Sequence, residues 1–200
     1  MAKRKQRRAS VERETKETKI TCALDLDGSG KTEIKTPYGF MDHMITAMAR
    51  HALFDLTVVA EGDLEVDAHH TVEDLGLVLG EALLKAVGDK KGITRFGQAM
   101  IPMDEALASC AVDVSGRPHF VYDAKIPERS QWEFDVNLVK EFFAALASTA
   151  RITLHLRLLY GENYHHSCEA LFKAAGRALR QAVSMDPGEE GVPTSKGTLG

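Results

Sequence analysis

His69-His70-Thr71-Val72-Glu73 returns 96 residues further on as His165-His166-Ser167-Cys168-Glu169. Each copy reads His-His-x-x-Glu, and each leads into an apolar run of helical period. The first run carries Leu75, Leu77, Leu79, Ala82 and Leu83; the second carries Ala170, Leu171, Ala174, Ala175, Ala178 and Leu179. If each motif opens a helix, its first histidine and its glutamate stand four apart and share a face. The second histidine points roughly 100° away. Four imidazoles and two carboxylates in two matched units suggest metal ligands, and the repeat makes the chain a duplication.

The pattern on either side of the motifs follows the same plan twice. Residues 1–10 are expected to be unstructured. From Val11 to about Leu26 the residues alternate, with Ile20, Cys22, Leu24 and Leu26 on one face, and this predicts a strand. Asp27-Gly28-Ser29-Gly30 predicts a turn and Lys31–Lys35 a returning strand, which together make a hairpin. A helix is expected from about Phe40 to Ala52, a strand over Asp55–Ala60, another at Leu64–Asp67, and then the first motif helix to about Gly88. In the second half Ala108–Val114 and His119–Ala124 read as a hairpin. Asn137–Ala150 reads as a helix, Ile152–Leu159 as a strand, and the second motif helix runs to about Met185. Leu56-Thr57-Val58-Val59 is matched to Ile152-Thr153-Leu154-His155. Hairpin, helix, strand, turn, motif and helix in both halves predict an α+β fold of duplicated α/β half-domains, each a small sheet packed with helices. The expected division is a basic tail over 1–10, half-domains over 11–92 and 93–186, and a tail over 187–200.

Composition narrows the function classes. A chain of 200 residues with 44% apolar and 27% charged residues is ordinary for a soluble globular protein. No run has the length to span a bilayer, and the basic start is followed by polar residues, not by a signal-peptide core. Cys22, Cys110 and Cys168 are sparse and unpatterned, which points to reduced thiols and a cytoplasmic setting and removes a zinc-finger reading. The net charge of −4 conceals five cations in the first ten residues; the remainder has 20 basic against 29 acidic residues. Without interleaved aromatics, that basic start is a solvated terminus; neither a nucleic acid nor a membrane is an expected partner.

Of eight histidines, only His119 falls outside a constellation of His43, His51, His69, His70, His155, His165 and His166. Imidazoles and carboxylates without cysteine suit borderline or harder divalent ions such as Mn, Fe, Co or Zn. His43 and His51 share the predicted first helix and lie within about 80° of each other. Cys168 is expected to turn into the core. Because adjacent histidines diverge, each unit can feed two sites, or one shared between subunits. In the last segment Thr194-Ser195-Lys196-Gly197 offers hydroxyls, an ammonium and free backbone N–H groups, which suit a phosphate. From its surroundings alone Glu17 reads as an exposed charge. These residues define a dinuclear metal site without stating its reaction.

Nine stretches carry a resemblance. They are Glu12–Glu17 (ERETKE), Phe40–Met44 (FMDHM), His51–Leu56 (HALFDL), His69–Leu75 (HHTVEDL), Lys90–Gly97 (KKGITRFG), Ile101–Glu105 (IPMDE), Val114–Pro118 (VSGRP), Tyr164–Ala174 (YHHSCEALFKA) and Gly191–Gly197 (GVPTSKG). In this order, from about residue 9 to the end, they resemble the imidazoleglycerol-phosphate dehydratase family of histidine biosynthesis. The match thins at Gln131–Phe134, away from every candidate residue. The resemblance implies half-domains of the ribosomal protein S5 domain 2-like kind, a 24-subunit shell, and two Mn2+ ions per active site at subunit interfaces. It implies His43, His69, His70, Glu73, His155, His165, His166 and Glu169 as metal ligands. It places Arg95, Arg117, Ser195 and Lys196 on the substrate's phosphate, Glu17 on the substrate, and His51 at the pocket edge; His43, His69, His70 and Glu73 also line the substrate site.

The implied reaction is dehydration of D-erythro-imidazole glycerol phosphate to imidazole acetol phosphate. The proton lost is not acidic, so the imidazole must act as electron reservoir, through a metal-bound imidazolate and a diazafulvene-like intermediate. Glu17 is the expected base, with His51 the competing acid–base group. A dinuclear metallohydrolase or a non-catalytic metal-binding shell are the alternatives. Ferritin-like sites use Glu-x-x-His on a four-helix bundle, and here the order is reversed and strands intervene.

Overall fold

The computed structural model describes residues 6–62, 67–127, 135–196 and 199. Twelve elements follow in two equivalent sets. The first set is β1 (Arg8–Glu14), β2 (Thr18–Asp25), β3 (Thr32–Lys35), α1 (Gly39–Ala52), β4 (Asp55–Gly62) and α2 (His69–Val87). The second is β5 (Phe96–Met103), β6 (Ala106–Asp113), β7 (His119–Asp123), α3 (Leu138–Ala150), β8 (Thr153–Tyr160) and α4 (Tyr164–Val183). Each set forms a four-stranded sheet, in the orders β1-β2-β4-β3 and β5-β6-β8-β7. The α+β class and the duplication are therefore as the sequence predicts.

The pairing inside each sheet differs from the expected hairpins. Val11–Leu26 is two antiparallel strands rather than one, with Arg8 opposite Asp25 and Glu14 opposite Lys19. The turn between them contains no glycine or proline. Thr15 makes it instead, its Oγ1 accepting from the N–H groups of Glu17 at 3.0 Å and Thr18 at 2.9 Å. Strand pairing also begins at Arg8, inside the stretch expected to be unstructured. β3 does not return along β2. It lies parallel to β4, which inserts between them, and α1 supplies the crossover that a parallel pair requires. β4 has the buried Leu56, Val58 and Ala60 that suit a central strand, whereas β3 is short and half-exposed.

The second half repeats both corrections: β7 runs parallel to β8, and the true hairpin joins β6 to β5. Gly97 and Pro102 disguise β5 in the sequence. It is an edge strand, where proline is tolerated. The strand match also shifts by two residues. Leu53 and Arg151 are the left-handed caps that end α1 and α3, which aligns Leu56 with Leu154 and Thr57 with His155. The strand expected at Leu64–Asp67 and the stretch Gln131–Phe134 fall on positions outside the described residues, Asp67 apart.

The helices lie between the two sheets. α2 rests on β1 and β2, α4 on β5 and β6, and the layers join where α1 meets α4 and α2 meets α3. Phe142, Phe143 and Phe172 form one fully buried cluster with ring centroids 4.7–5.3 Å apart. Burial of each such side chain contributes about 1.5–3 kcal/mol. The outer sheet faces are open, leaving Phe96, Met100, Leu159 and Tyr160 exposed. Among the described residues no helix is long and apolar enough to cross a membrane. Cys22, Cys110 and Cys168 are buried free thiols, and burial pushes Cys22 and Cys168 up to about 12.

α1 and α4 touch backbone to backbone. A Cβ on Gly176 would stand 2.2 Å from the Met48 carbonyl oxygen. Gly176→Ala should therefore cost about 1–3 kcal/mol through overpacking, read as a lower urea midpoint at unchanged m-value. An unchanged midpoint would mean that the helices do not cross this closely.

Candidate metal centre

α1 delivers His43 from the first half, and the first two turns of α4 deliver His165 and Glu169 from the second. Asn163 caps α4: its side-chain oxygen accepts from the N–H of His165 at 2.8 Å and of His166 at 3.3 Å. Phe40 stacks on Tyr164 at 5.9 Å and meets the His165 ring edge at 5.7 Å, which bounds the ring's position. His43 Nε2 and His165 Nε2 each stand 3.1 Å from Glu169 Oε2. The three donor atoms lie within 4.8 Å of one another. Two donors held about 2.1 Å from one ion at right angles stand about 3 Å apart, so this spacing fits a shared divalent cation.

Glu169 is buried, and its second oxygen takes the Lys173 ammonium at 2.7 Å. Burial pushes the carboxyl up, but Lys173 and His43 together outweigh that and leave it below its ordinary value. A buried carboxylate already ionised is a ready ligand. His51 lies two turns beyond His43, about 12 Å along α1. Burial, with Lys173 and Arg177 nearby, lowers its basicity below that of an ordinary imidazole.

The first motif is arranged alike at the start of α2 but, among the described residues, without a third ligand in reach. His69 Nε2 is 3.9 Å from Glu73 Oε2. Ten residues before the Leu53 cap stands His43; ten before the Arg151 cap stands Glu141, so the duplication does not repeat that histidine. The Nδ1 atom of His70 is buried without a hydrogen bond, and a Glu17 carboxylate oxygen lies 3.5 Å away. An orphaned ring nitrogen in a set of imidazoles and carboxylates again suits a metal.

Glu17 projects from the Thr15–Thr18 turn, which is fastened to α2. Asp74, one residue past Glu73, is buried and accepts from Arg13 Nε at 2.8 Å and from the Thr18 hydroxyl at 2.5 Å. The second half has an equivalent that the sequence reading missed. Glu105, at the β5–β6 turn, takes His166 Nδ1 at 2.8 Å and the N–H groups of Asn163 at 2.7 Å and Glu162 at 3.2 Å. Its only sequence signal is its place at the end of IPMDE, where the hairpin itself was not recognised.

The remaining candidates lie elsewhere in the chain. His155 is exposed on the outer face of the second sheet, with its ring 6.4 Å from that of His119. Arg95 binds Asp113 through Nε at 2.7 Å and Nη2 at 3.1 Å, and its Nη1 holds the Pro193 carbonyl at 2.8 Å. The tail is thereby tied beside Arg95, with Ser195 and Lys196 exposed just beyond. Arg117 is exposed in the β6–β7 loop. The Arg95 N–H bonds to the Ala182 carbonyl at the far end of α4. From His165 to Ala182 is about 25 Å of helix, so one chain holds the His43–His165–Glu169 group and the phosphate candidates at opposite ends.

A duplicated α+β chain with histidine–carboxylate groups at the starts of its two long helices, one of which could hold a metal ion, has the layout of an enzyme. The family model described as imidazoleglycerol-phosphate dehydratase matches residues 36–179. The imidazoleglycerol-phosphate dehydratase of Geobacter metallireducens is 53% identical over 193 residues, covering 96% of this chain and 99% of its own. That of Clostridium botulinum is 56% identical over 191 residues, covering 96% and 97%. The crystal structure of the Pyrococcus furiosus enzyme superposes with TM-score 0.82 at 42% identity, covering 94% of this chain and all of that one. The chain belongs to the imidazoleglycerol-phosphate dehydratase family.

Hydrogen bonds from His166 and two backbone N–H groups hold Glu105 down to about 2 from its usual 4.5. A carboxyl lowered on folding stabilises the fold fully above its unfolded value, and that contribution disappears as pH falls through about 2. The Glu105 side-chain 13C resonance should titrate with a midpoint about 2; a midpoint near 4.5 would mean the contact is not formed.

Proposed function

We propose that the chain removes water from D-erythro-imidazole glycerol phosphate to give imidazole acetol phosphate, as the dehydratase step of histidine biosynthesis in the cytoplasm. The observation that carries this reading is the His43–His165–Glu169 group, built across both half-domains of a chain that matches its dehydratase relatives end to end. The residues that would hold two Mn2+ ions are His43, His69, His70, Glu73, His155, His165, His166 and Glu169. Bound there, the ions would supply Lewis acidity to the substrate's imidazole ring, the only group able to take up the electrons of a non-acidic C–H bond.

The protein's own residues do the rest. Arg117, Ser195 and Lys196 bind the phosphate, and Arg95 holds the tail that carries the last two. Among the described residues Glu17 has no hydrogen bond holding its carboxylate, and it takes the carbon-bound proton. His51, its basicity lowered by burial and by Lys173 and Arg177, exchanges a proton with the departing hydroxyl or the enol product. The 25 Å between the ends of α4 supports a site completed by a second chain, with the phosphate residues and His155 of one subunit facing the metal group of another. The exposed Phe96, Met100, Leu159 and Tyr160 of the second sheet suit such assembly, and a 24-subunit shell is the proposed form.

Chelator-stripped protein should form no product from imidazole glycerol phosphate and regain turnover when Mn2+ is added. Metal uptake without product would leave a hydrolase or a non-catalytic shell. Glu169→Gln should lose metal and turnover together. Glu17→Gln should keep metal and lower kcat by about 10²–10⁴. Retained turnover in the Glu17 variant would remove Glu17 as the base.

A further inference from the structure

The two hairpin turns present the same residue type to the same atom. Glu17 faces His70 Nδ1 and Glu105 faces His166 Nδ1, each carboxylate arriving from the turn of its half's first hairpin onto the second histidine of its motif. The geometry of the two contacts differs. Glu17 stands 3.5 Å off with an exposed side chain, and His70 Nδ1 has no hydrogen bond. Glu105 is fixed at both oxygens. Oε1 accepts from Glu162 N–H at 3.2 Å and Asn163 N–H at 2.7 Å, and Oε2 accepts from His166 Nδ1 at 2.8 Å. Asn163 in turn caps the amides of His165 and His166. Carboxylate, turn and helix start thus form one connected unit.

We propose that Glu105 is a positioning residue for the metal site: it keeps the His166 proton on Nδ1, so that Nε2 presents its lone pair. The inference rests on the metal-dependent reading above. Duplication would then have divided one inherited contact into two tasks, with Glu105 orienting a ligand and Glu17 remaining unrestrained for proton transfer. The chemistry requires the first task because neutral imidazole has a single lone-pair nitrogen, and the partner of the other nitrogen decides which one it is. A carboxylate only accepts, so it selects Nδ1–H. On the other side of the ring Asp104 Oδ2 is 3.7 Å from Nε2, too far to compete for that proton.

Glu105→Gln separates orientation from folding. The backbone N–H groups of residues 162 and 163 demand an acceptor, so the amide oxygen takes the place of Oε1. The amide NH2 then faces His166 and can only donate, which moves the ring proton to Nε2. At pH 9, 15N shifts of the neutral ring in metal-free protein should report Nδ1–H for wild-type His166 and Nε2–H for E105Q. Mn2+ titration calorimetry should show at least about a tenfold loss of affinity in E105Q, with an unchanged circular dichroism spectrum. An Nε2–H tautomer in the wild type, or equal Mn2+ affinity in the two proteins, overturns the proposal. The wild-type tautomer is read without any variant, so a misfolded E105Q leaves that arm intact. Wild-type protein that binds Mn2+ but forms no product would instead overturn the dehydratase reading.

Discussion

Backbone contact between α1 and α4 determines where His43 can stand relative to His165 and Glu169. Helices normally pack 8–10 Å apart through their side chains. Here Gly176 removes the intervening side chain and lets the Met48 carbonyl come in against the helix. At that separation a histidine on α1 reaches a glutamate on α4 directly. The two helices belong to different halves, so the metal group depends on the interface between the duplicated units. Gly97 does the same on the other side of α4, where a Cβ would meet the Ala178 carbonyl at 1.9 Å. The central helix is therefore gripped between its sheet and its partner helix.

Burying Glu169 at such a junction is costly unless its charge is met. Both oxygens are met, one by two imidazoles and the other by Lys173, and this keeps the carboxylate ionised although solvent is largely excluded. The arrangement at the first motif is looser: His69, Glu73 and Glu17 are exposed, and the clamp is displaced to Asp74, which grips the turn without touching those ligands. Asp74 aligns with Ala170 in the other copy. The two halves thus reach similar ligand displays by different supports, a buried carboxylate beneath the turn in one and a carboxylate within the turn in the other.

Much of this was legible in the sequence because the signals were local. The repeated His-His-x-x-Glu, the helical period behind it and the apolar alternation that puts Ile20, Cys22 and Leu24 on one face required only neighbouring residues. The strand partners were not legible. β3 and β7 follow turn signals, which made hairpins the natural reading, but the insertion of β4 and β8 is a long-range choice, in which the strands that bury one face in the core are paired along both edges. The Thr15 turn was invisible for another reason, since a side-chain hydroxyl does the work usually signalled by glycine. Glu105 was missed because its hairpin was missed: its meaning lies in a turn that returns it to His166, 61 residues away. His43, by contrast, was found on its own helix, and only the packing of α1 on α4 revealed its partners.

The length of α4 has a further consequence. Its first two turns carry His165 and Glu169, its last holds the Arg95 backbone, and the buried face between them includes the small side chains of Ala170, Ala174, Ala175, Ala178 and Ala182. A substitution in this stretch alters packing at one level. An insertion or deletion of a single residue turns one end against the other by about 100° and shifts it by about 1.5 Å. That would carry the ligands off the face that meets His43, or carry the tail away from its tether. Within this segment variation in residue identity is open, subject to size, while variation in residue number is closed.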